Sequence, residues 1–196
     1  MGRTSLRIFI AEDEPLVLQG FKAMITGLGH TVIGSALDGN TAVSRILELR
    51  PDLAIMDINM PGINGLQAIE AVNQRLRLPY IVVTGYQDAA LLEQAAQLGV
   101  FGFLPKPVDV YEIRSTIEIT MARFAEFSQL EKELCDTQVA LKERKTVERA
   151  KGILMEKMGI TEPQAMKHLQ KLARDRNIKL AAMAKEVIDA STLFAT

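Results

Sequence analysis

Asp57 closes the apolar run Leu53-Ala54-Ile55-Met56, and two other apolar runs lead to groups that can share its chemistry. Leu6 to Ala11 meets Glu12-Asp13, and Phe101 to Leu104 leads to Lys106-Pro107. If neighbouring parallel strands bring those ends together, three carboxylates and one ammonium occupy one pocket. Like charges that close disfavour each other's ionised form, so the pocket calls for a bound cation. Magnesium suits it, because that ion takes a few carboxylates and fills its other positions with water and phosphate oxygens. Glu12, Asp13 and Asp57 are its candidate side-chain ligands. Asp57, at the centre, is the candidate nucleophile, since an aspartate that attacks phosphorus forms an acyl phosphate. Lys106 is placed to neutralise charge on the transferred group, and Thr84, at the end of a further apolar run, to donate its hydroxyl to a phosphate oxygen. Pro61-Gly62 turns the chain after Asp57, leaving the Asn59 carbonyl free to complete the metal shell, and Gly65 opens the next helix.

These groups need a scaffold, and the first 105 residues supply its pattern. Short apolar runs at Leu6–Ala11, Thr31–Ala36, Leu53–Met56, Tyr80–Thr84 and Phe101–Leu104 alternate with helical periodicity near 16–28, 40–50, 65–75 and 89–98. Five strands with intervening helices predict a parallel α/β sheet with right-handed crossovers, whose ligands collect at the carboxyl ends of the strands. Glu12, Asp13, Asp57, Thr84 and Lys106 all fall just at or past such ends.

The chain of 196 residues, 48% hydrophobic, is long enough for one ordinary domain and a small second one. Its net charge of -1 conceals a division. Residues 1–135 carry 11 Lys/Arg against 16 Asp/Glu, whereas 136–196 carry 12 against 8, which points to two domains with different partners. A single cysteine cannot form an internal disulfide, and no apolar run approaches the roughly 20 residues that span a bilayer. The run before Glu12 is too short for a signal-peptide core. The expectation is a reduced, cytosolic protein with no membrane contact.

Residues 6–122 resemble the receiver domain of two-component response regulators. Glu12-Asp13, Asp57, Met60-Pro61-Gly62, Thr84 and Lys106-Pro107 stand at that family's spacing. The resemblance implies a flavodoxin-like, doubly wound fold, a phosphoryl group taken from a sensor histidine kinase, Mg2+ as cofactor, and the Asn59 backbone as a metal ligand. It also implies that Phe103 is the aromatic switch that turns inward on phosphorylation together with Thr84, and that the Lys106–Pro107 bond is cis. Two departures stand out. Glu12 replaces the aspartate of many members, and Pro105 removes a backbone donor beside the site. By position alone, an aromatic in an edge strand such as Phe103 is more often a plain packing residue, and Tyr86, two after Thr84, either lines the mouth of the site or is an exposed loop residue.

After Lys106-Pro107 a helical run continues without Gly or Pro to Gly152. Positions 113, 117, 120, 124, 127, 131, 134, 138 and 141 form a 4,3 pattern, mostly apolar with Thr120, Glu131 and Gln138 as interruptions. The pattern fits a helix that packs first on the receiver and then pairs with another chain or folds back; an amphipathic helix buried within one chain is the alternative. Glu143 to Lys157 reads as helix ended by Gly159, Thr161-Glu162-Pro163-Gln164 as a capping box, and Leu180, Met183, Ala184, Val187 and Ile188 as the period of a third helix. The expected division is a receiver at 1–122, a helical linker at 123–140 and a small three-helix domain at 141–196. Arg144, Lys145, Arg149 and Lys151 share a broad arc opposite Val147, Ala150, Ile153 and Leu154. Such an arc can neutralise phosphates, although Glu148 lies within it and ordinary intrahelical pairing explains part of the pattern.

The stretch Ala140 to Met155, with Thr161-Glu162, Ala165 and Leu169, is similar to the ANTAR domain of transcription antitermination regulators. That resemblance implies binding of RNA stem-loops in nascent transcripts, with RNA polymerase affected indirectly, and assigns Arg144, Lys145, Arg149, Lys151 and Gly152 to RNA binding. Gln170 departs from an arginine of the family, and Ala173-Arg174 from its usual Ser-Met. The joint expectation is a phosphorylation-promoted homodimer that binds RNA, a phosphoryl acceptor with slow self-dephosphorylation and not an enzyme acting on outside substrates. An adaptor whose bundle docks on protein is the alternative. A magnesium-dependent phosphatase would need a second acid/base carboxylate where Asn59 stands, and no helix-turn-helix recognition helix favours DNA. His30 and His168 have no matching ligands for zinc and read as surface or boundary residues, and Cys135 as a packing residue of the linker helix.

Overall fold

The computed structural model describes residues 5–85 and 89–193. Five strands, β1 (Arg7–Ala11), β2 (Thr31–Ala36), β3 (Leu53–Asp57), β4 (Tyr80–Thr84) and β5 (Gly102–Pro105), form one parallel sheet in the order β2-β1-β3-β4-β5. Between them run α1 (Pro15–Gly27), α2 (Gly39–Leu49), α3 (Gly65–Asn73) and α4 (Ala89–Gln97). The strand order reverses between β1 and β3, which opens a crevice at their carboxyl ends.

Both faces of the sheet are covered, which is why its strands read as continuous apolar runs. Side chains alternate between the faces. Phe9, Ala54, Met56, Tyr80 and Val82 pack with Ala42, Ile46, Leu66, Ile69 and Ala95 from α2, α3 and α4. Ile8, Ile10, Ile55, Ile81 and Val83 pack with Leu18, Phe21 and Ile25 of α1 and with Ile113 and Ile117 of the helix after β5. Caps fix where the helices begin. The Asp38 side chain accepts from the Thr41 N–H at 2.8 Å, an arrangement that holds its carboxyl below the usual range, and Asn64 and Gln67 cap each other reciprocally at 2.8 and 2.9 Å.

The helix after β5, α5 (Val110–Met158), is one uninterrupted element of 49 residues. The segment from Glu143 to Lys157 is therefore its last part and not a helix of its own. Contacts divide the chain into two compact units, 1–128 and 129–196, with the boundary inside α5. In the second unit, Ala150 and Leu154 of α5 pack with Ala165, Leu169 and Ala173 of α6 (Glu162–Asp175) and with Met183 and Ala184 of α7 (Leu180–Leu193), giving the three-helix bundle. Gly159, at φ +64°, stops α5, and the Gln164 carboxamide oxygen accepts from the Thr161 N–H at 2.8 Å to start α6. Cys135 is exposed on α5 and is not a packing residue, and residues 131–145 around it are exposed among the described residues. No described helix is long and apolar enough to cross a membrane.

One glycine ties the fold to the crevice. A Cβ on Gly65 would stand 2.1 Å from the Asp57 carbonyl oxygen, a backbone atom with no freedom to retreat. Gly65→Ala is expected to lower stability by about 1–3 kcal/mol through overpacking. Gly20→Ala, on the exposed side of α1 with nothing within 4 Å of the added carbon, is expected to raise it by up to about 1 kcal/mol. Urea denaturation of both variants checks the contrast, and equal effects would show that the Gly65 contact relaxes.

Candidate functional site: an acidic crevice and a helical bundle

Asp57 is the last residue of β3, and Glu12 and Asp13 follow β1 directly. The register sets Ala11 beside Met56 and Asp57 beside Val83, so the β1 and β3 ends meet at one level. One carboxylate oxygen from each of Glu12, Asp13 and Asp57 lies within 4.8 Å of the others, the metal-type acidic group found among the described residues. Glu12 and Asp57 are buried and Asp13 is half-buried.

Lys106, one residue past β5, reaches into this group. Its ammonium donates to Asp57 Oδ2 at 2.8 Å and to Glu12 Oε1 at 3.0 Å. Burial pulls the ammonium pKa down, but the two carboxylate hydrogen bonds outweigh it and hold Lys106 above its ordinary value. Burial pushes the Glu12 carboxyl up, the Lys106 hydrogen bond opposes that, and the Asp57 charge adds to the rise. Two carboxylates thus share one ammonium and remain incompletely compensated. Glu12 Oε2 lies 2.9 Å from Lys106 Nζ yet makes no hydrogen bond in its buried position.

The loop after β3 is pinned from several sides. The Asn59 N–H donates to Asp57 Oδ1 at 3.3 Å, Ile58 N–H to the Val83 carbonyl at 3.3 Å and Gly65 N–H to the Ile58 carbonyl at 2.9 Å. Gly62 turns the chain at φ +81°, a conformation that glycine adopts without steric cost. Thr84 ends β4 in a buried position, and its carbonyl accepts from the Lys106 N–H at 2.9 Å, which ties the β4 and β5 ends together. The Lys106–Pro107 peptide is cis. Phe103 lies in β5 beside Val82, half-buried against the α2–α4 side of the core. Tyr86 lies outside the described residues.

The sequence-predicted groups of the second unit divide into two kinds. Arg144, Lys145, Arg149 and Gly152 are exposed on α5. Lys151 is not: its side chain is 9% exposed and its ammonium sits 2.8 Å from Glu148 and 2.7 Å from Glu162. Expected on the solvated arc, it is instead drawn against the start of α6, and its pKa is raised by both carboxylates. Glu162 was not among the candidates. The signal for it was the Gly159 turn, which returns the chain so that the first residue of α6 meets a side chain eleven positions earlier.

Sequence comparison agrees with this division into two units. Residues 8–118 match the response regulator receiver domain, and residues 136–188 match the ANTAR domain. The chain is 36% identical over 183 residues to the transcriptional regulatory protein PdtaR of Mycobacterium tuberculosis, a match spanning 93% of this chain and 89% of that protein. The receiver part is similar in structure to a LuxR-family two-component response regulator from Aurantimonas, with TM-score 0.58 and 28% identity over 61% of this chain and 86% of that one. It is similar also to the response regulator domain of Thermotoga maritima CheB, with TM-score 0.57 and 27% identity over 61% of this chain and 98% of that one. With five parallel strands around an acidic crevice and a helical bundle after them, the chain belongs to the response regulators, as a receiver domain followed by an ANTAR domain.

Proposed function

We propose that the protein is a phosphorylation-controlled regulator that binds RNA stem-loops in nascent transcripts and so favours transcription past terminators. The observation that carries this reading is the joint arrangement of Asp57, Glu12, Asp13 and Lys106, together with a match to the ANTAR domain. In this reading 1–122 is the phosphoacceptor domain, 123–140 the linker and 141–196 the RNA-binding domain.

Asp57 attacks the phosphorus of a phosphohistidine on a sensor kinase, the P–N bond breaks, and an acyl phosphate remains on the carboxylate. Lys106 moves its hydrogen bonding onto the new phosphate oxygens, which carry the charge it already balances. The Thr84 hydroxyl donates to the same group, and Phe103 turns into the space that Thr84 leaves. Glu12, Asp13, Asp57 and the Asn59 carbonyl would hold Mg2+; three carboxylates with one oxygen each within 4.8 Å of the others, an all-oxygen donor set, fit a hard cation. When bound, Mg2+ supplies charge neutralisation for phosphoryl transfer. In this reading Asp57 acts as a phosphoryl acceptor that slowly loses its own phosphate, and not as the nucleophile of an enzyme that turns over outside substrates.

The output follows along α5. Ile113 and Ile117 are buried in the receiver core, while Phe127, Leu130, Leu134 and Leu141 stay exposed at spacings of 3, 4 and 7. That spacing suits a seam between two copies, so phosphorylation promotes a homodimer that offers two bundles to RNA. An adaptor role predicts binding to protein that is insensitive to salt. RNA binding predicts an affinity that falls steeply as salt rises.

Phosphorylation with acetyl phosphate is expected to raise RNA affinity by roughly 5–150-fold, the usual range of coupling between two sites. Asp57→Asn is expected to abolish that response and the accompanying change in oligomeric state, as followed by gel shift and light scattering. A variant that still responds would end the proposed switch. Chelation of divalent cations by EDTA is expected to stop phosphoryl transfer to Asp57, and added Mg2+ to restore it, as followed by a phosphate-retention gel.

A further inference from the structure

Lys151 of the ANTAR-like stretch has no charge to spare. Lys151 is buried between Glu148, one turn before it on α5, and Glu162, the first residue of α6, so its ammonium joins the two helices at their corner. An RNA phosphate would have to displace both carboxylates and draw out a side chain that is only 9% exposed.

The face that this corner orients has a different character. On α6, Ala165, Leu169 and Ala173 point into the bundle core. At about 100° per residue, Lys167, Lys171 and Arg174 fall within a sector of about 60° directly opposite. All three are exposed and form no ion pair among the described residues. The acids of α6, Glu162 and Asp175, lie outside that sector, and Glu162 is already held by Lys151. On α5, by contrast, Glu148 interrupts the arc of Arg144, Lys145 and Arg149. The three α6 cations extend over about 10 Å of helix, enough to meet successive phosphates of one strand.

We propose that the bundle holds RNA phosphates on the outer face of α6 through Lys167, Lys171 and Arg174, with Lys151 a positioning residue that fixes α6 to α5 without touching RNA. This rests on the RNA-binding reading and adds the surface and the division of labour. The absence of aromatic side chains from that face makes the contact one of charge and shape, with bases read elsewhere.

The probe is an RNA hairpin selected from a random-loop library on the full-length protein treated with acetyl phosphate. If no hairpin is enriched, the RNA reading itself fails. Given a selected hairpin, its affinity is measured against salt for each variant. Lys167→Gln/Lys171→Gln/Arg174→Gln is expected to reduce the slope of log affinity on log salt by about 3, roughly one for each cation removed. A slope equal to wild type overturns the proposed surface. Lys151→Gln is expected to weaken binding at least tenfold with no change in slope, and Lys151→Arg to recover most of the loss. Glu162→Gln is expected to weaken binding too, although it removes a negative charge. Were Lys151 an RNA contact, Glu162→Gln would free its ammonium and tighten binding, and that result overturns the positioning role. Should Lys151→Gln lose helicity by circular dichroism, the sign of the Glu162→Gln effect decides alone.

Discussion

Two buried carboxylates facing each other set the terms for the receiver. Glu12 and Asp57 are almost closed to water, and in a medium of low polarisability two anions so close coexist only beside positive charge. Lys106 provides it, bonded to both, but a single ammonium against Glu12, Asp57 and the nearby Asp13 leaves the crevice negative. In the proposed function this imbalance is what would draw a hard cation to the site, and the cation a phosphoryl group. A crevice fully neutralised by protein side chains would be more stable and would have no reason to bind either one.

Keeping that imbalance requires rigid surroundings. The site is assembled from the ends of β1, β3, β4 and β5, each fixed by side chains packed on both faces of the sheet. Backbone links then close the remaining freedom: Lys106 N–H to the Thr84 carbonyl, Ile58 N–H to the Val83 carbonyl, and Gly65 set so tightly on the Asp57 carbonyl that no side chain fits between. The stored charge repulsion is thus held by hydrophobic packing some way from the charges themselves.

Much of this was legible in the order of residues because sheet topology turns sequence into position. An apolar run with a strong period announces a strand, its polar successor announces a strand end, and parallel connection sends those ends to one side. Asp57, Glu12 and Lys106 are readable in that way although they lie 45 and 49 residues apart. Lys151 was not, since helical periodicity places a residue on a face but gives no account of what the next helix brings to it. The position of Glu162 depends on the Gly159 turn, and on that turn depends whether Lys151 is a solvated cation or a buried clamp. The linker shows the same limit on a smaller scale. A strict 4,3 count selects Glu131, whereas Leu130 is the exposed apolar residue one position earlier, a shift that a helical repeat of 3.6 allows.

The same limit bears on how the two units communicate. β5 carries Phe103 and leads to Lys106 at one end, and Phe101 immediately precedes it at the other. Phe101 packs its ring edgewise on Phe124 at 6.0 Å between centroids and against Phe127 at 5.6 Å, both on α5. A four-residue strand hydrogen-bonded to β4 is stiff along its length. In the proposed switch, a change at Lys106 and Phe103 is therefore transmitted to Phe101 as displacement of the strand, with little lost to bending. Phe127 is the first of the exposed residues Phe127, Leu130, Leu134 and Leu141, so in that proposal β5 bears directly on the start of the surface that a second copy would cover. In the same proposal α5 carries the displacement onward, since its 49 residues hold no glycine or proline before Gly152.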